Sequence, residues 1–174
     1  MGDEALESML LAFSERTGIQ AITLFSPCGW PATEILHFTG LCLLFGAIGV
    51  FDLRVLGFAK RIPINALHRF VPFGVAGFCI NAITGVMFVT SDPDQYLYNP
   101  AWQTKMVLVL VAGVNMLLFY WLAHRELMTL GPSEPAPLRA RFFTLVSLLA
   151  WTGVIACGRL ITFFRPPFYW CFWC

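Results

Sequence analysis

The chain has 174 residues, of which 58% are hydrophobic and 12% charged, with a formal net charge of +1 and a mean hydropathy of +0.72. A soluble domain of this length needs a charged shell to stay dispersed, and too few charged residues exist here to make one. The near-neutral balance gives no footprint for nucleic acid or for an acidic ligand, and the basic residues fall in short loops rather than along one face.

The opening Met1-Gly2-Asp3-Glu4 is acidic, so a cleaved signal peptide with its basic leading segment is not expected. Leu6, Met9, Leu10 and Phe13 then recur at helical spacing between acids, which predicts an amphipathic helix lying in the membrane interface.

Four apolar stretches follow, at about 35–55, 70–90, 102–123 and 142–164. Each approaches or exceeds the ~20 residues that cross ~30 Å of hydrocarbon at ~1.5 Å per residue. Backbone groups cannot go unpaired in lipid, and the alternation of barrel strands is absent, so all four are expected to be helices. Pro27 and Pro31 precede the first stretch, with Thr33 and Glu34 as its expected cap and acidic first turn. Ser91-Asp92-Pro93-Asp94 ends the second, and Asn99-Pro100 opens the third. Gly131-Pro132 with Pro135 and Pro137 separates the third from the fourth, and Pro166-Pro167 stops the last. The expectation is an all-α, four-transmembrane-helix bundle with an N-terminal interfacial amphipathic helix and an aromatic C-terminal tail. Its parts are an extracytoplasmic segment 1–32, a membrane domain 33–165 and a tail 166–174.

Orientation follows from lysine and arginine. Arg54, Lys60, Arg61, Arg69, Arg125, Arg139 and Arg141 fall on one side, against Arg16, Lys105, Arg159 and Arg165 on the other. The first set is expected to face the cytoplasm, leaving both termini extracytoplasmic. The aromatic tail Phe168-Tyr169-Trp170-Cys171-Phe172-Trp173-Cys174 suits either an interfacial anchor or docking on the bundle or a partner subunit. Its Cys171-x-x-Cys174 closes the chain without opening a helix, so an outward disulfide or inert thiols are favoured over redox or metal chemistry. Cys42, Cys79 and Cys157 lie in apolar stretches as small packing residues. Gly46, Gly49, Gly74, Gly77, Ala112, Gly113, Ala150, Gly153, Ala156 and Gly158 allow close helix approach or leave room for a flat cofactor. Asn81 and Asn115 sit mid-span as candidates for hydrogen bonds between helices.

Titratable groups at membrane depth are functional candidates by default. The three histidines are His37, His68 and His124. His68 lies as far before the outer end of the second span as His124 lies after the outer start of the third, so two antiparallel helices joined by a short outer loop bring both imidazoles to one depth. Neutral imidazole is an axial ligand for haem iron. Arg69 and Arg125 stand next to the two histidines and suit haem propionates. The competing reading makes both histidines interfacial, wet on one edge and packed on the other. Near the opposite face, His37, Met87, Lys105, Met106 and Arg159 fall at similar depth. His with Met ligates haem or copper, while Lys105 and Arg159 suit propionates or an anionic quinone head. The plainer account has Lys105 and Arg159 snorkelling outward and the methionines filling gaps. No hydrolytic triad, phosphate loop or zinc-binding HExxH pair is present.

Leu36-His37-Phe38-Thr39-Gly40, Phe51-Asp52-Leu53-Arg54, Gly77-Phe78 with Thr84-Gly85, Asn99-Pro100-Ala101-Trp102-Gln103-Thr104-Lys105 and Gly113-Val114-Asn115 resemble an uncharacterised family of four-helix bacterial inner-membrane proteins. The resemblance runs from about 33 to 165 and implies the bacterial inner membrane. More loosely, the layout is similar to copper-resistance membrane domains and to four-helix membrane cytochromes b. The cytochrome resemblance would imply haem b and electron transfer with quinone or a partner protein. The di-haem versions need four axial histidines and this chain has three, so at most one bis-histidine haem, or one His-only or His/Met site, is expected. The leading expectation is therefore a redox-associated subunit of a larger membrane complex carrying haem b. The alternatives are a cofactor-free structural or accessory subunit, or a copper-handling protein.

Overall fold

A computed structural model of the chain describes residues 2–131 and 134–164. The aromatic tail, its two cysteines and Arg165 lie outside the described residues. The amphipathic segment forms α1 (Gly2–Thr17), followed by α2 (Ile19–Thr23). The first span is α3 (Gly29–Leu56), and a short α4 (Ile64–His68) leads into the second, α5 (Val71–Ser91). A single turn α6 (Pro93–Leu97) connects to the third span, α7 (Pro100–Leu122). Another short helix, α8 (His124–Met128), precedes the fourth span α9 (Leu138–Leu160), which ends in a 3₁₀ turn at Ile161–Phe163.

The ends of these helices follow local chemistry. Asn99 caps α7, its Oδ1 accepting from the amides of Ala101 at 3.0 Å and Trp102 at 3.4 Å, and Pro100 occupies a first-turn position where no amide is needed. Gly57, at φ 113°, closes α3 while the Phe58 amide reaches back to the Leu53 carbonyl. The start of α3 corrects the sequence reading. It begins at Gly29, so Pro31 falls inside its first turn instead of before it. Thr33 is consequently no cap, and its hydroxyl donates to the Gly29 carbonyl at 2.9 Å.

α3 packs along α5 and α7 along α9, and the two pairs join through α3 and α9. Gly40 and Gly77 let the α3 and α5 backbones meet, while Gly153 accommodates Leu108 between α7 and α9. α5 and α7, though consecutive spans, share no extensive contact. The dense packing sits at the two ends. At the arginine-rich end Phe51, Val55, Ile64, Leu67, Phe119, Ala123, Leu127 and Ala140 form one cluster. At the other end Phe88, Tyr96, Ala101 and Ile161 form a second, with Trp30 against it.

Outward from this bundle the helices are apolar. Leu110 is 69% exposed, Leu117 67% and Leu149 64%, an arrangement that water penalises and hydrocarbon does not. All four spans are long and apolar enough to cross a membrane, which makes this a multi-pass membrane protein. α1 packs on α2, α5 and α6. It buries Ser14 against them and leaves Leu6, Met9 and Phe13 exposed, as an interfacial helix would present its apolar side to lipid.

Candidate functional site

At the arginine-rich end the two expected histidines do come together. His68, at the last turn of α4, and His124, at the first residue of α8, have ring centroids 4.9 Å apart, with planes at 38°. Tyr120 packs tilted against His124 with ring centroids 4.8 Å apart, and its hydroxyl lies 3.1 Å from His68 Nε2. Phe51 and Phe119 complete an aromatic box around the pair. A bis-histidine haem needs its iron between two nitrogens, each on the order of 2 Å away, with the porphyrin plane separating the rings. Here the rings are in contact and His68 Nε2 is engaged by tyrosine, so this arrangement has no porphyrin slot between them. Arg69 and Arg125 are both exposed.

Near the opposite end His37 of α3 crosses to α5, its Nδ1 2.7 Å from Thr84 Oγ1. That hydroxyl also lies 2.7 Å from the Ile80 carbonyl, which can only accept. Thr84 has one proton to share between His37 and Ile80, so the direction of the His37–Thr84 bond depends on the imidazole tautomer. Lys105 of α7 is half-buried and turns inward, its Nζ 3.7 Å from where a Cβ on Gly158 would stand. It is close enough to both His37 and Cys157 for its charge to act on each. Met106, one residue on and so about 100° round the helix, is exposed, whereas Met87 is half-buried. Arg159 is exposed, bonded to Thr162 at 3.1 Å and lying over the Phe163 ring. His37 and Lys105 therefore share a neighbourhood that Met106 and Arg159 do not enter. Among the described residues no three His, Cys, Asp or Glu side chains are grouped to hold a metal ion.

The gap between α5 and α7 holds a cavity of about 150 Å³. Leu44 and Ile48 of α3, Val75 and Phe78 of α5, Gly113 of α7 and Trp151 of α9 give it apolar walls, and Asp52, Asn115, Tyr120, Thr144 and Ser147 its polar groups. Asn115 bonds across the bundle, donating to the Phe143 carbonyl of α9 at 3.0 Å. Asn81 does not bridge helices; its amide donates to Gly77 four residues back at 3.0 Å.

Asp52 is the residue that spacing alone did not single out. It is 3% exposed and lies inside the first span. Ser147 of α9 lies beside its carboxyl group, and Oδ2 has no partner among the described residues. The neighbouring Arg54 does not pair with it. Arg54 is itself buried, and donates from Nε to the Ile62 carbonyl at 2.6 Å and from Nη2 to Lys60 at 3.0 Å. Leaving a buried acceptor unsatisfied costs about 1–3 kcal/mol, and more if it is charged. The sequence signal was an acid within an apolar run, masked by the arginine two positions on.

An all-α bundle with apolar outer faces, and polar groups turned into a central gap, defines a four-helix membrane protein with an internal cavity. Residues 28–164 match a family of unknown function (DUF6644), and the chain belongs to it. No curated protein and no solved structure matches the chain.

Proposed function

We propose that the protein is a redox-associated membrane subunit that holds a quinone-type molecule in the cavity between α5 and α7. The observation that carries this reading is the helix pairing, which leaves an apolar-walled space with a small polar patch at bilayer depth. Ligand sites are typically of this kind, apolar with a few placed polar groups. None of the three imidazoles lines the cavity. A haem seated there would lack an axial nitrogen from the cavity wall, whereas a quinone needs only hydrogen-bond partners and room for a ring. The test is solvent extraction of the protein purified in mild detergent, with chromatography of the extract and a reduced-minus-oxidised spectrum of the same sample. Near-stoichiometric quinone without a Soret band is the expected result. Neither quinone nor haem in the sample would remove the redox reading and leave a cofactor-free structural subunit.

A second reading, haem b at the opposite end, is favoured by one observation. His37 is anchored through Nδ1 to Thr84 Oγ1, and a ligating histidine is usually held through its other ring nitrogen in this way. Lys105 would then face a propionate. A Soret band that disappears in His37→Ala and persists in His68→Ala would select it.

A further inference from the structure

A second hollow opens on the outer surface of the bundle, between α7 and α9 at the arginine-rich end. It has a volume of about 430 Å³ and is lined by Leu122 of α7 with Leu138, Arg139, Phe142 and Phe143 of α9. Only Phe143 is shared with the internal cavity. Leu138 is 82% exposed and Phe142 62%, so the apolar walls form an open groove that hydrocarbon, rather than water, must fill. Its one charged lining residue is Arg139, in the first turn of α9, which is exposed and has no ion pair among the described residues. We propose that this groove binds an anionic phospholipid, with an acyl chain along the apolar side chains and the phosphate paired with Arg139.

Depth and charge select this occupant. Trp121, next to Leu122, is 80% exposed at the same end of the bundle. Tryptophan and arginine both favour the headgroup layer, which sets the rim of the groove at the level of lipid phosphates. Phe142 and Phe143 follow Arg139 by three and four residues on α9, so they lie on its face one turn deeper, where acyl chains begin. Residues 138–143 cover only ~9 Å of helix, which suits the upper part of one chain and is short for a partner helix. Glu134, the acid nearest to Arg139 along the chain, is held by the Gly131 amide at 2.9 Å. A lipid phosphate matches the planar guanidinium fork, and a zwitterionic lipid sets its own ammonium against that pairing.

The experiment takes the full chain, delipidated in a non-ionic detergent, and titrates it with phosphatidylglycerol and phosphatidylcholine of identical acyl chains. Bound lipids are counted by native mass spectrometry. Wild type is expected to bind its first phosphatidylglycerol about fivefold more tightly, the scale of one arginine acting on one anionic lipid. Arg139→Gln should bring the two lipids to within about twofold. Arg69→Gln, exposed at the same end but outside the groove, should keep the preference. Glycerophosphoglycerol, the same headgroup without chains, should fail to displace the lipid. Equal binding of the two lipids by wild type would overturn the proposal, as would a preference that survives Arg139→Gln. An equal loss in Arg69→Gln would overturn it in favour of diffuse surface charge, and displacement by glycerophosphoglycerol in favour of a plain phosphate site. The comparison of lipids uses unaltered protein, so the proposal stays open to refutation even if Arg139→Gln does not fold.

Discussion

Gly77 of α5 sits so close to Gly40 of α3 that a Cβ on Gly77 would stand 2.5 Å from the Gly40 carbonyl oxygen. Backbone, which cannot swing aside as a side chain does, meets backbone here. Gly77→Leu is expected to destabilise the bundle by at least ~1–3 kcal/mol, the usual range for overpacking. Gly46→Leu, at a glycine with nothing within 4 Å, is the control and should leave the thermal transition in detergent unchanged.

Gly113 is also open, but its open space is the cavity. Gly113→Phe should therefore occupy the ligand's place without disturbing the helix pairs. The expected outcome is a normally folded protein, by thermal transition and elution volume, whose solvent extract has lost its quinone. Retention of bound quinone at wild-type level would count against the proposed site.

Asn99 joins two spans through one side chain. Its Oδ1 caps α7, while its Nδ2 donates to the carbonyls of Ile161 at 2.9 Å and Phe164 at 3.2 Å, where α9 ends. Asn99→Ala removes cap and bridge together, at a cost on the order of 2 kcal/mol. Asn99→Asp keeps the cap and loses both donors, so its melting temperature should fall between those of wild type and Asn99→Ala.

Arg54 closes the loop after α3 by donating to the carbonyls of residues 60 and 62. Arg141 ties α9 to the same corner, Nη2 donating to the Leu56 carbonyl at 3.1 Å. Lysine has a compact ammonium in place of the planar fork and cannot reach both Arg54 partners in the same geometry. Arg54→Lys should thus lose about 1–3 kcal/mol, read as a lower unfolding midpoint in detergent. Faster proteolysis in the 57–63 loop is expected alongside it.

The orientation proposed from lysine and arginine is tested by single-cysteine labelling of intact cells in a background without other cysteines. A cysteine placed at Arg61 should resist an impermeant maleimide, and one placed at Glu15 should react. The reverse pattern would invert the topology.

The four spans were legible because lipid imposes a rule that composition alone reveals: a long apolar run must satisfy its own backbone and so must be a helix. Their bounds shifted by only a few residues, most at α3, where Pro31 read as a stop although the first turn of a helix tolerates it. The meeting of His68 and His124 was readable too, since equal counts from a common turn put residues at equal depth. Depth does not give direction, however. The rings meet in contact, with Tyr120 against both, an outcome set by side-chain packing at the helix ends.

Hydrophobic length, the punctuation of the spans and the placing of arginines in two loops are local properties, and one sequence suffices to establish them as features of the chain. Which helices embrace is a different matter. α3 pairs with α5 and α7 with α9 because small residues on those faces let backbones approach, and the gap left between α5 and α7 is a by-product of that choice. Only the folded arrangement satisfies Arg54 with loop carbonyls and thereby leaves Asp52 Oδ2 without a partner among the described residues. Whether a buried polar group has a partner depends on atoms far away in sequence, and a pattern of neighbours along the chain carries no record of them.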